Sequence, residues 1–240
     1  MGLLVTFGFM FARDVTNTMS NNTGLTVSEK RRARERAEME AHILDVARAM
    51  FVRDGYEAVT LRKIAKAIEY SPGTIYQYFK DKQTLIMAII QNDYLALRDT
   101  LLECLEISDY VERVIEMAHR YAVWGITHPN HYRLLLLPPP AWKFQKENMW
   151  QQEKPPIEKD ALYLLNTFVE AGIRAGLLKD KYTDAGLVAS TLWAGLHGLV
   201  LLEIAMQEQG PFRGDTAGAS FERRFDMIIK VFSDGLLKND

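Results

Sequence analysis

Apolar residues recur along this chain at helical spacing almost from end to end, and no strand-like alternation persists. The clearest run is Leu61, Ile64, Ala65 and Ile68, at i, i+3, i+4 and i+7, with Thr60 placed to cap it. Ser71 and Pro72 then open a second short helix, since Ser caps well and Pro suits the first helical position. Ile75 and Phe79 give that helix its inward side, leaving Thr74, Gln77 and Tyr78 on another side and Tyr76 at the rim. Asp81 caps a third helix carrying Leu85, Ile86, Ile89 and Ile90. Upstream, Ile43, Ala47, Met50 and Phe51 predict a helix that stops near Asp54 and Gly55.

The pattern continues as a long helix over 81 to 107 and another over 109 to 127. The second turns Val111, Val114, Ile115, Ala118, Ala122 and Ile126 inward, and Pro129 closes it. A short helix over 130 to 137 is stopped by Pro138, Pro139 and Pro140. The connection 138 to 156 is long for a compact domain and holds Trp142, Phe144 and Trp150. It reads either as a lid or pocket mouth, or as a segment packed outside the bundle or ordered only in a dimer. A helix over 157 to 175 ends at Gly176, and Thr183 and Asp184 open the most apolar helix, through about 207. Its stretch 185 to 202 carries no charge, but Ser190, Thr191, His197 and the glycines argue against a membrane span. A helix apolar on all sides is more simply a buried one. Gly186, Ala189, Ala194 and Gly198 would let another helix approach it closely. Phe221, Phe225, Ile228, Ile229 and Phe232 give the last helix its own stripe. Two such helices from each of two subunits would form a four-helix interface, so a homodimer through the last two helices is expected.

Charge divides the chain. The net charge is −2, yet residues 29 to 82 hold 12 Lys+Arg against 9 Asp+Glu, and residues 83 to 240 hold 16 against 21. A basic head on an acidic body directs the head toward a polyanion. Arg62, Lys63 and Lys82 stand at helix N-termini, where the helix dipole disfavours cations unless an anion joins them. A regular row of such anions is a nucleic-acid backbone, and a helix-turn-helix can place its last helix in a major groove. The cluster Lys30, Arg31, Arg32, Arg34 and Arg36 either follows phosphates or forms a solvated face with Glu29, Glu35, Glu38 and Glu40.

Other chemistries find little support. Cys104 is the only cysteine, which excludes an intramolecular disulfide and fits a reducing cytoplasm. His119, His128, His131 and His197 are scattered without metal spacing. No Gly-rich phosphate loop or nucleophile elbow occurs, so neither an enzyme nor a cofactor is expected. The first 28 residues read as a disordered or extended tail. MGLLVTFGFMFA is too short to span a bilayer, and Met19 is an alternative start.

Through Phe51, Gly55, Thr60, Ile64, Ala65, Ser71, Gly73, Thr74, Ile75, Tyr76, Phe79 and Lys82, the chain resembles the TetR/AcrR family of bacterial transcriptional regulators. The resemblance implies an all-α protein: an N-terminal three-helix helix-turn-helix domain over 29 to 82 and a C-terminal effector-binding and dimerisation bundle over 83 to 240, about nine helices. It also implies an operator in double-stranded DNA, a small apolar effector, no membrane, and a cytoplasmic, nucleoid-associated location. Trp193 through Gly198, with His128, Pro129, Tyr132, Arg133, Leu134 and the proline run, resembles the Trp/His-Gly branch of the family. One departure stands out. The family most often has Gly-Val where this chain has Glu69 and Tyr70. If that position takes positive φ, Glu69 costs about 1 kcal/mol, and Tyr70 is expected to help fill the small core.

For DNA, Arg62 is the expected base reader, because its guanidinium can donate twice to guanine. Gln77 pairs with adenine or sits at a phosphate; Thr74 and Tyr78 meet a thymine methyl or the backbone; Gly73 admits close approach beside the Ser71 cap. Thr60, Lys63, Tyr76 and Lys82 are expected phosphate contacts. The expected effector pocket is Tyr121, Trp124, His128, Phe168, Trp193 and His197, residues that suit a helical core equally well. A repressor released by an apolar effector is the leading reading; a helical DNA-binding adaptor controlled by a protein partner is the alternative.

Overall fold

Each short helix of the head starts where a side chain satisfies an orphan backbone donor. The structure is a computed structural model, and it describes residues 26–136, 161–209 and 220–238. Among these lie nine α-helices. They are α1 (Val27–Asp54), α2 (Leu61–Ala67), α3 (Pro72–Tyr76), α4 (Lys82–Leu102), α5 (Tyr110–Thr127), α6 (Pro129–Leu136), α7 (Ala161–Arg174), α8 (Ala185–Gln209) and α9 (Phe221–Leu236). The chain divides into two units, Met1–Asp45 and Val46–Asp240, with the division inside α1.

In the first unit, Thr26 and Glu29 form a reciprocal cap. The Thr26 N–H donates to Glu29 Oε2 (2.8 Å) and the Glu29 N–H donates to Thr26 Oγ1 (3.3 Å). Arg31 pairs with Glu35 and Arg34 with Glu38, one helical turn apart and exposed. Such pairs contribute a few tenths of a kcal/mol each, roughly 0.3–0.5.

In the second unit, Thr60, Ser71 and Asp81 accept from the backbone N–H of Lys63 (3.2 Å), Thr74 (3.2 Å) and Thr84 (2.7 Å). Met50, Phe51, Val59, Ile64, Ile75, Phe79 and Leu85 are buried. The chain leaves α1 through Gly55 at φ +80°, the left-handed conformation that glycine adopts without steric cost. Glu69 takes φ +61°, the strained conformation anticipated for this turn. Tyr70 corrects the sequence reading: it is 47% exposed and fills no core. The left-handed turn at Glu69 sends the next side chain outward.

α4 ends at Leu102, earlier than the periodicity predicts, and tightens into a 3-10 turn over Glu103–Glu106. Asp109 then caps α5, accepting from the Glu112 N–H at 2.8 Å. α4 packs on α5 and α6, and α8 packs on α7, α5 and α9. One core holds Leu97, Leu101, Met117, Tyr132, Val200 and Phe225; a second gathers Val169, Leu178, Val188 and Ala189. Gly125 permits the α5 approach, since a Cβ there would lie 2.6 Å from Val200 Cγ1 and 2.8 Å from the Tyr132 ring. An isolated bridge between Leu178 and Leu237 ties the α7–α8 loop to the end of α9.

α8 is not buried on all sides, contrary to expectation. Its length and composition would suit a membrane span, and Leu187 (64%), Ser190, Thr191, Ala194, Gly198 and Leu202 are exposed along one face. The opposite face carries core residues, and Glu203 accepts from Arg224 Nε of α9 at 2.5 Å. Met227 and Val231 on α9 are exposed as well, at 62% and 58%. Pattern alone cannot separate burial within a chain from burial between chains. The tail through residue 25, the connection 138 to 156 with Trp142, Phe144 and Trp150, and the predicted start of α7 at 157 lie outside the described residues.

Candidate nucleic-acid interface and effector cavity

Cations and small polar groups gather where α2, α3 and α4 begin. Arg62, Gly73 and Gln77 are exposed, and Tyr76 is 53% exposed, while Thr74 and Tyr78 are half-buried. The Ser71 and Thr74 hydroxyls lie 3.1 Å apart at the α3 cap. Lys63 Nζ donates to the Ala58 carbonyl at 2.7 Å. Lys82 Nζ donates to the Tyr56 carbonyl at 2.8 Å and rests 4.1 Å from the Tyr56 ring centroid. An ammonium has three donors, so each of these contacts leaves donors for a phosphate. Both cations are thus held near a helix start by carbonyl oxygens, whose partial charge offsets the unfavourable dipole.

A buried ion pair joins α1 to α4. Arg48 of α1 donates from Nε to Asp93 Oδ2 (2.9 Å) and from Nη2 to Asp93 Oδ1 (2.6 Å). The two residues are 2% and 0% exposed, and His131 Nε2 of α6 lies 4.0 Å from Asp93 Oδ1. Sequence reasoning missed this group. Its only signal is that Arg48 and Asp93 are charges set inside apolar stripes.

A cavity of about 150 Å³ opens among α4, α5, α7, α8 and α9. Of the six expected effector residues, Tyr121, Phe168 and Trp193 stand in its wall. Trp124, His128 and His197 do not. Trp124 is buried and stacks on His128, with centroids 5.4 Å apart, and His128 ends α5. His197 stacks on Trp193 at 5.1 Å and 11°. Tyr110 and Met117, which the sequence did not mark, line the cavity with Ile229 and Phe232, which it assigned to the apolar stripe of the last helix, because apolar core, interface and pocket share one composition. The Tyr110 hydroxyl donates to the Phe168 carbonyl.

Hydrogen bonds link the wall to the body's interior. Trp193 Nε1 donates to Tyr121 Oη (3.2 Å), Tyr121 Oη meets Tyr132 Oη (2.9 Å), and Tyr132 Oη meets His197 Nδ1 (2.7 Å). Burial pushes Tyr121 up to about 12. Burial, then the neighbouring Tyr121, drives Tyr132 still further above the ordinary phenol range. Burial lowers His197, so its neutral imidazole is favoured.

A helix-turn-helix head joined to an all-α body with a half-open apolar cavity is the architecture of a DNA-binding regulator. Comparison with known proteins gives the family. Residues 43–89 match the family model described as "Bacterial regulatory proteins, tetR family", and residues 114–228 match "Tetracyclin repressor-like, C-terminal domain". The chain belongs to the TetR family. It is 36% identical over 81 residues to the HTH-type transcriptional regulator UidR of Escherichia coli (strain K12), covering 32% of this chain and 41% of that protein. It is 36% identical over 61 residues to the HTH-type transcriptional repressor AcnR of Corynebacterium efficiens, covering 25% and 32%. These matches span well under two thirds of the curated relatives' length. The fold is similar to that of the fatty acid degradation regulator FadR from Bacillus halodurans, with TM-score 0.61, 17% identity and coverage of 80% and 93%. It is also similar to that of the MbdR regulator from Azoarcus sp. CIB, with TM-score 0.62, 18% identity and coverage of 82% and 98%.

Proposed function

We propose that this protein is a cytoplasmic transcriptional repressor that binds a palindromic operator as a homodimer and leaves it when a small apolar effector enters the body. The observation that carries this reading is the set of cations, Arg62 and Lys63 at the start of α2 and Lys82 at the start of α4, flanking α3 with its exposed Gly73, Tyr76 and Gln77. Arg62 and Gln77 read bases; Thr60, Lys63, Tyr76 and Lys82 hold phosphates; Ser71, Thr74 and Tyr78 support α3 in the groove. The exposed faces of α8 and α9 form the dimer contact, pairing two heads on one side of the duplex. No catalytic role is assigned to any residue.

α6 offers a route between effector and head. Its Tyr132 belongs to the hydrogen-bonded chain behind the cavity wall, and its neighbour His131 faces the Asp93 carboxylate that holds Arg48. An effector that displaces Tyr121 therefore shifts α6 and loosens α1. Selection of genomic fragments by the purified protein, followed by release with candidate effectors, tests the reading. Recovery of a rough palindrome that apolar compounds release supports it, and fragments without common sequence count against it.

A further inference from the structure

The cavity's walls constrain what it can hold. Among the described residues, none of the lining side chains is charged. The nearby Arg113 guanidinium lies over the Phe168 ring, 5.9 Å from its centroid, and donates to the Ile107 carbonyl, so a carboxylate taken into the lining meets no charged partner there and is strongly disfavoured. The polar groups in the wall are few. The Tyr110 O–H is spent on the Phe168 carbonyl, leaving its oxygen only as an acceptor, and the Trp193 N–H is spent on Tyr121. Tyr121 and Ser233, and the Tyr110 oxygen as an acceptor, are left to meet a ligand.

What Tyr121 offers follows from counting hydrogens. Trp193 can only donate, so one lone pair of Tyr121 Oη is taken. When His197 Nδ1 accepts, Tyr132 donates to it and Tyr121 donates to Tyr132, and Tyr121 keeps a lone pair for a ligand. When His197 carries its proton on Nδ1, Tyr132 accepts from it and donates to Tyr121. The Tyr121 O–H then turns to the ligand. Changing the neutral tautomer of one half-buried histidine thus reverses the whole chain, with no net charge created.

We infer that the cavity takes an uncharged molecule, one ring or a short chain of on the order of six to ten non-hydrogen atoms, bearing a single hydroxyl, carbonyl or ether group that Tyr121 reads in either sense, and that it rejects carboxylates. The size follows from the volume, since an apolar cavity of about 150 Å³ accommodates benzene. The inference rests on the effector reading only in calling the occupant an effector; binding itself is independent of DNA.

The test is calorimetric titration of the full chain with four probes of similar size: ethylbenzene, acetophenone, 1-phenylethanol and benzoate. Acetophenone and 1-phenylethanol are expected to bind roughly three- to tenfold more tightly than ethylbenzene, the range of one net hydrogen bond, and benzoate not at all. Tyr121→Phe is expected to bring acetophenone down to the affinity of ethylbenzene. Benzoate binding as tightly as acetophenone overturns the inference, as does no binding by any probe or a preference unchanged in Tyr121→Phe. If that variant does not fold, the parent's order of the four probes decides alone. Operator release is measured separately: the expected order without release keeps the ligand class and removes the effector reading.

Discussion

Asp93→Asn is the most informative single change in the protein's interior. The substitution keeps the shape of the side chain and removes its charge, while Arg48 stays charged and 2% exposed. Two hydrogen bonds, at 2.9 and 2.6 Å, currently join the pair. Breaking a buried pair from one side costs about 3–5 kcal/mol. That is a large share of a typical total of about 5–15 kcal/mol. In a chain of this size it lowers the melting temperature by about 6–20 °C. The double variant Arg48→Met, Asp93→Leu is expected to recover most of the loss, because two apolar side chains need no solvation. Urea unfolding at one fixed protein concentration measures all three variants and keeps any dimer contribution constant. A loss below about 1 kcal/mol in Asp93→Asn, or a double variant no better than the single one, refutes the claim that the carboxylate stabilises Arg48.

Three further outcomes are expected. Glu69→Gly relieves a left-handed residue at φ +61° and stabilises by about 0.5–1 kcal/mol after the extra flexibility of the unfolded glycine is counted; a lower midpoint in urea contradicts this. Asp81 lies below the ordinary carboxylate range, chiefly because it accepts from the Thr84 N–H. A depressed folded pKa means that its stabilisation is complete above its unfolded value of about 3.9 and is lost as pH falls through the lower folded one. Asp81→Asn keeps the cap without the titration, so its stability falls less steeply over that acid range, and parallel pH curves contradict the assignment. Leu187→Glu, on the exposed face of α8, is expected to abolish the proposed dimer in sedimentation; a parent that sediments as a monomer, or an unchanged dimer in the variant, contradicts the assignment of the interface to this face.

What the sequence discloses here is mostly local chemistry. Thr60, Ser71 and Asp81 announce their helices because a cap needs only its own next three residues. Gly55 marks the end of α1 for the same reason. Tyr70 misled because its direction depends on the left-handed turn at Glu69, which propensity does not encode. Arg48 and Asp93 are 45 residues apart, and nothing local announces their pairing. The cavity was half visible: aromatic residues on α5, α7 and α8 point to an apolar interior. Whether Trp193 or Trp124 meets the void depends on how the helices rotate against one another. His197 sits beyond the wall, yet the hydrogen-bonded chain through Tyr132 connects it to Tyr121, a residue in the wall. The face of α8 that the protein leaves open carries the same small and apolar residues as its closed face, so composition could not rank them.

The cations at the starts of α2 and α4 are proposed to bind phosphates. Fluorescence anisotropy across a salt series, on a duplex recovered from the organism's own genome, tests it most directly. Affinity is expected to fall steeply with salt, and a Lys82→Ala variant to bind every sequence more weakly with a logarithmic slope smaller by about 0.9 per lost phosphate contact, two for a dimer. Arg62→Ala should instead lose its preference at one base pair of each half-site. Binding indifferent to salt, or a Lys82→Ala slope equal to the parent's, contradicts it.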